Sequence, residues 1–261
     1  MISTTMQNKK GVKKILTAAA VGLFWLLVWQ ISYYAVGRDL LLASPSSTFL
    51  RILELIKTAD FWRIILSSFL RIMAGFLLGL FTGTILAIIT ARWDMMYRLL
   101  QFPMSIIKAT PVASFVILAL IWISGKRLST FISFLMVLPM VWSSVHQGIK
   151  SADPLLLEAA ASFRLSAVQK LKAVYIPAVM PQLLAVSRVA MGFAWKSGIA
   201  GEVIAIPKNT IGSMLYDAKV YLETTDLFAW TAVIVILSVL IEKLFSYLMR
   251  LFAGKWGGQV E

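Results

Sequence analysis

The chain has 261 residues, 59% hydrophobic and 14% charged, with mean hydropathy +0.83. This balance excludes a soluble domain and predicts an all-α protein that crosses a membrane several times. A net charge of +13 would suggest nucleic acid on a soluble protein, but on an apolar chain it predicts anchoring beside anionic lipid and no nucleic-acid partner.

Six spans are expected. Lys9, Lys10, Lys13 and Lys14 precede the apolar run Ile15 to Val36 and place the N-terminus in the cytoplasm. The run is longer than a signal peptide core and lacks a clear cleavage site, so it reads as an uncleaved first span. Arg38 to Trp62 is less apolar and is placed outside. Ser44-Pro45-Ser46-Ser47 signals a helix start there, and Leu50, Leu53, Ile56 and Phe61 suggest an amphipathic helix on the outer surface.

Ile64 to Ala91 is the second span. Gly75, Gly79, Gly83, Ala87 and Ala91 recur every four residues, a pattern that lets another helix approach closely. Ordinary packing inside the chain is favoured over a moving partner. Arg71 lies about two turns inside this span, where it is costly in lipid unless paired or snorkelling. A polar cytoplasmic segment, Arg92 to Gln101, leads to a third span, Pro103 to Ser124, interrupted by Lys108 and Pro111. Gly125-Lys126-Arg127 is an outer turn. The fourth span, Leu128 to Val145, carries Pro139 as a kink or partial break. His146 reads as an interface residue at the span end.

The segment from Asp153 to Pro177 is the one long amphipathic stretch. Asp153 can cap a helix whose first residue is Pro154. Leu155, Leu156, Ala159 and Ala160 make an apolar face, and Glu158 begins the other. Ser166 can cap a second short helix with Gln169, Lys170 and Lys172. Glu158-Ala159-Ala160 is followed, after three residues, by Arg164, and nine residues later by Val174-Tyr175-Ile176-Pro177.

This spacing resembles the cytoplasmic EAA loop of binding-protein-dependent ABC importer permeases: Glu-Ala-Ala, three residues, Gly, nine residues, Ile-x-Leu-Pro. Arg164 stands at the glycine position, and a turn that needs positive φ makes Arg costly there. The Pro111-Val112-Ala113-Ser114 stretch resembles the Pro-rich opening of the family's corresponding span. The fifth span, about Ala178 to Ile199, carries Arg188 and Lys196. Gly192-x-x-Trp195 with Glu202 seven residues on resembles the sulfonate, nitrate and taurine branch. Residues 206–226 are placed outside. The sixth span, Leu227 to Phe252, ends in cationic residues, and a cytoplasmic tail follows. More than half of the 25 Lys and Arg fall on the cytoplasmic side.

The resemblance covers residues 60–248 and implies a type I ABC importer permease fold with a cytoplasmic coupling helix. It divides the chain into an N-terminal tail, first span and outer segment (1–59), the permease domain (60–248) and a tail (249–261). It implies a multi-pass protein of the plasma (inner) membrane, both ends cytoplasmic. Its partners would be a second permease copy in a homodimer, separate ATPase subunits, an extracellular or periplasmic solute-binding protein, and the bilayer.

Leu155, Leu156, Glu158, Ala159, Ala160, Arg164 and Pro177 are the coupling candidates. Arg71, Arg188, Trp195, Lys196 and Glu202 are candidates for the pathway or the dimer interface. The cations suit a small anion such as a sulfonate, taurine or nitrate; the alternative is a thiamine-precursor-like or other small nutrient. The chain has no cysteine, a single His146 and no P-loop, Gly125-Lys126 lacking the upstream glycine. No catalytic, metal or cofactor site and no ATPase activity of its own are therefore expected. A membrane-embedded enzyme would need clustered acids or histidines within the spans. An ion-coupled carrier often shows repeats and mid-membrane acids.

Overall fold

The computed structural model describes residues 3–254, and among these every regular element is helical. In chain order they are α1 (Ser3–Val36), α2 (Pro45–Ile56), α3 (Ala59–Arg92), α4 (Asp94–Ala109), α5 (Val112–Ala119), α6 (Gly125–Lys150), α7 (Pro154–Ser162), α8 (Ala167–Lys170), a π-helical turn (Leu171–Tyr175), α9 (Ile176–Ala205), α10 (Ile211–Val220) and α11 (Thr224–Gly254). Five helical stretches are long and apolar enough to cross a membrane, six if the bent pair α4–α5 is counted as one span. This is a multi-pass membrane protein. The side chains of Lys9, Lys10, Lys13 and Lys14, and the end of the expected tail, lie outside the described residues.

The chain forms two compact units. The smaller comprises Met1–Phe61 and Asp217–Val233. Here Ser44 caps α2 by accepting the Ser47 N–H at 3.0 Å, with Pro45 in the first turn. Arg51 grips Asp226 through both Nε and Nη2, the latter at 2.9 Å, and reaches Glu54 at 2.9 Å. The bond to Asp226, then that to Glu54, push its already high pKa up. Thr224 Oγ1 donates to the Leu40 carbonyl at 2.6 Å, and Trp29 stacks on Phe228 while donating to the Ala43 carbonyl at 3.0 Å. The segment that follows α1 is thus tied to the start of α11. Leu50, Leu53 and Ile56 are exposed along α2, whereas Phe61 belongs to α3, buried against Trp230.

The larger unit comprises Trp62–Tyr216 and Ile234–Glu261, with α6 and α9 packed along each other at its centre. The small-residue stripe of α3 faces α6. A Cβ at Gly75 would enter the Thr130 carbonyl, at Gly79 it would lie 2.8 Å from Val137 Cβ, and at Gly83 3.0 Å from the Leu138 carbonyl. Gly198 of α9 approaches Ile72 and Ser133 equally closely. The stripe is therefore a packing seam within the chain.

The third expected span departs most from the sequence reading. The polar segment Arg92 to Gln101 is mostly helical: α4 begins at Asp94, and Trp93 alone links it to α3. The bend of 105° between α4 and α5 falls at Thr110-Pro111. The proline ring drives Thr110 out of the helical region, to φ −85°, ψ 132°. Gly125-Lys126-Arg127 opens α6 rather than forming the turn, and α6 runs on through buried Pro139.

Candidate functional site

The segment from Asp153 to Pro177 folds as local chemistry dictates. Asp153 Oδ1 accepts the Leu155 N–H at 2.8 Å and Pro154 starts α7. At the other end the Arg164 N–H reaches the Ala161 carbonyl and the Leu165 N–H reaches the Ala160 carbonyl, both at 3.0 Å. That pair of bonds is a Schellman motif, which puts Arg164 in the left-handed region at φ +50°. The turn thus does require what glycine supplies. Ser166 and Gln169 form a capping box at α8, with bonds of 3.4 and 2.8 Å. From Ala167 the helix continues through the π turn into α9, with Pro177 in its first turn.

The predicted apolar face is divided in two. Ala160 is 3% exposed and turns inward with Ala152 and Val174, against Leu157, Leu165, Tyr175 and Ala178. Leu155 (72% exposed), Leu156 (52%) and Phe163 (80%) point away. Glu158, Ala159 and Arg164 are exposed as well. So the loop has a small core of its own and a separate exposed ridge. The sequence reading missed Phe163; its signal was a bulky aromatic immediately before the turn residue.

The charged residues of the spans are not brought together as one cluster. Glu202 is fully buried: its Oε2 accepts from Ser68 Oγ at 2.7 Å and from the Gly212 N–H, at the start of α10, at 3.3 Å. Ser68 Oγ in turn accepts the Ile211 N–H at 2.9 Å. A carboxylate near the first N–H groups of α10 is favoured by their partial positive charge. A Cβ at Gly212 would collide with the Glu202 backbone, so glycine is what admits the contact. Arg71 acts on Glu202 electrostatically without forming an ion pair among the described residues; its backbone carbonyl accepts from Thr130 Oγ1 at 2.9 Å. Trp195 is buried and directs Nε1 to the Ile234 carbonyl at 3.3 Å.

Lys196, by contrast, is exposed on α9, as are Val189 and Phe193 on the same side, and a Cβ at Gly192 would meet nothing within 4 Å. Arg71 Nη1 and Arg188 Nε are buried donors without an acceptor among the described residues. His146 is stacked on Tyr97 at 4.4 Å and shares a hydrogen bond with Thr90 at 3.1 Å. Ser68 and Gly212 were not legible as Glu202 partners, because no local pattern ties residues so far apart.

Residues 75–257 match the family described as the binding-protein-dependent transport system inner membrane component. The chain belongs to this family. It is the permease component of an ABC importer, with the type I permease fold, and such permeases work with ATPase and binding-protein partners. The taurine transport system permease protein of Escherichia coli strain K12 is 25% identical to this permease over 239 residues, covering 89% of the chain and 86% of the relative. A putative aliphatic sulfonates transport permease protein of Bacillus subtilis strain 168 is 23% identical over 238 residues, covering 90% and 86%. Another so described, from Escherichia coli strain K12, is 26% identical over 234 residues, covering 88% and 86%.

Proposed function

We propose that this permease carries a small organic sulfonate, taurine or an alkanesulfonate, across the plasma membrane. The observation that carries the reading is the similarity, along nearly the whole chain, to permeases named for taurine and aliphatic sulfonates. The chemistry agrees. A sulfonate is a permanent anion with three acceptor oxygens, and Lys196 is an exposed cation on a span helix beside the open space at Gly192. Arg188 offers a buried donor that lacks an acceptor among the described residues. Charges within spans face protein or a wet cavity, and Lys196 is placed on the pathway for that reason.

The permease domain occupies residues 60–248, with both chain ends in the cytoplasm, and two identical copies enclose the path. Separate ATPase subunits bind the exposed ridge Leu155, Leu156, Glu158 and Ala159, with Arg164, Lys170 and Lys172 adding electrostatic attachment. Ala160 holds the ridge on its loop. Because α8 runs without a break through Pro177 into α9, a push on the loop is passed to the helix that carries Lys196. Hydrolysis belongs to the partner subunits.

The test is uptake of radiolabelled taurine by cells expressing the permease with its ATPase and binding protein. Lys196→Gln is expected to reduce uptake roughly tenfold, the worth of one charge-assisted contact, while ATPase attachment persists. Unchanged uptake in that variant, or uptake competed by carboxylates and not by alkanesulfonates, contradicts the reading.

A further inference from the structure

The end of α9 farthest from the loop is held by one carboxylate. At 30 residues, about 45 Å, α9 is long enough for its two ends to lie on opposite sides of a bilayer core. Near its end Glu202 Oε2 accepts the Ser68 hydroxyl of α3 at 2.7 Å and the Gly212 N–H of α10 at 3.3 Å. Ser68 Oγ accepts the Ile211 N–H at 2.9 Å, and Thr210 Oγ1 accepts the Ser213 N–H at 3.2 Å. The first two N–H groups of α10 therefore depend on Ser68 and Glu202. Ser68, Glu202, Thr210 and Ile211 are all fully buried.

The connection closed in this way is strained. Ile206, which follows α9, lies in the left-handed region at φ +49°, and Asn209 follows at φ +57°. Asn tolerates that region, whereas a β-branched residue enters it only at a cost. Glu202 carries a second cost. Its Oε1 is buried without a hydrogen-bond partner among the described residues, and Arg71 acts on it without pairing. A turn with a strained residue and a half-satisfied carboxylate persists only while the bonds to Ser68 and Gly212 hold it.

We propose that Glu202 and Ser68 form a latch on the α9–α10 connection, closed here and released in another state of the transport cycle. The proposal rests on the reading above, in which motion of the loop enters α9. The continuous stretch that begins at Ala167 ends at Ala205, just past Glu202, so a shift of α9 that starts at the loop is delivered to this carboxylate. A hydrogen bond is lost by about 3.6 Å, so a displacement of roughly 1 Å opens the latch. The strain at Ile206 favours opening throughout. Release lets the start of α10 part from α3 while both helices stay intact, as a two-state element requires.

The chain has no cysteine, so one introduced at the latch reports its opening. Ile211→Cys keeps the backbone N–H that Ser68 accepts. The permease is purified with its ATPase subunits, placed in nanodiscs with both faces open to solvent, and its chain is labelled with a maleimide. The result then depends on neither the orientation nor the solute. Two conditions are compared, nucleotide-free and trapped with ATP and vanadate, and labelling is expected to be about tenfold faster in one of them. In the slow condition Ser68→Ala should raise labelling about tenfold, the worth of the bonds removed. In the fast condition Ile206→Gly, which relieves the strain, should lower it. Val141→Cys, equally buried but on the seam between α3 and α6, should stay unreactive, which separates opening from unfolding. Should Ser68→Ala fail to assemble, Ile206→Gly decides. Labelling of Ile211→Cys that ignores nucleotide, or that neither substitution moves, would overturn the latch. A nucleotide response that persists in Glu158→Lys would support the latch and contradict the entry of force through the ridge.

Discussion

Arg164 occupies a conformation that a non-glycine L-residue adopts at a cost of about 1 kcal/mol or more. It is tolerated because two backbone hydrogen bonds and the contact of Leu165 with the loop core all require the turn. Arg164→Gly is therefore expected to stabilise the loop by about 1 kcal/mol, read as slower hydrogen exchange at the Leu165 amide; faster exchange would mean the turn is held some other way. Ala160 makes the opposite case. Its side chain lies in the loop's own core, so Ala160→Asp buries a charge without a partner and is expected to unfold the loop. Limited proteolysis between Asp153 and Tyr175 should then cut a segment that resists it in the unmodified protein, and equal resistance would contradict the placement. The caps at Asp153 and Ser166 were legible in the sequence because capping is decided within three residues. The burial of Glu202 was not, because it depends on Ser68, 134 residues away.

At the scale of elements, apolar length marked the second, fourth, fifth and sixth spans, since a helix in lipid must satisfy its backbone within itself. At the third it marked the run but not its shape. Pro111 was seen to interrupt that run, but the 105° bend between α4 and α5 depends on how each piece packs, which composition does not carry. The polar segment from Arg92 to Gln101 proves to be mostly helical, α4 starting at Asp94, which polarity alone does not show. The glycine stripe was read more accurately, because small residues at four-residue spacing have one dominant use in membranes. Its prediction is a contrast between two glycines. Gly79→Leu drives a side chain into Val137 and is expected to abolish the folded, detergent-stable protein. Gly192→Ala meets open space and should purify with the same melting temperature. Equal behaviour of the two variants would show that the seam between α3 and α6 is not what holds these helices.

For the whole molecule, the account joins an exposed ridge on α7 to a membrane helix that begins only a few residues beyond it. The ridge carries Leu155, Leu156 and Glu158, and in the proposed reading the continuous stretch from Ala167 to Ala205 passes its motion into the membrane. The family was legible from the spacing around Glu158 even though Arg164 replaces the glycine, because the spacing is set by helix lengths and caps while the glycine only eases one turn. The central claim is that force from ATP hydrolysis enters through this ridge. Glu158→Lys reverses the only acidic charge on it and touches no span, and disrupting one partner of an interfacial charge pair often costs roughly 2–5 kcal/mol. The decisive measurement is ATP-driven solute uptake, with hydrolysis counted in parallel, by the permease reconstituted in liposomes with its ATPase and binding protein. The account predicts that Glu158→Lys inserts normally but loses uptake, through a lost ATPase subunit or through hydrolysis that no longer moves solute. Uptake and hydrolysis at the unmodified rate in that variant would contradict it.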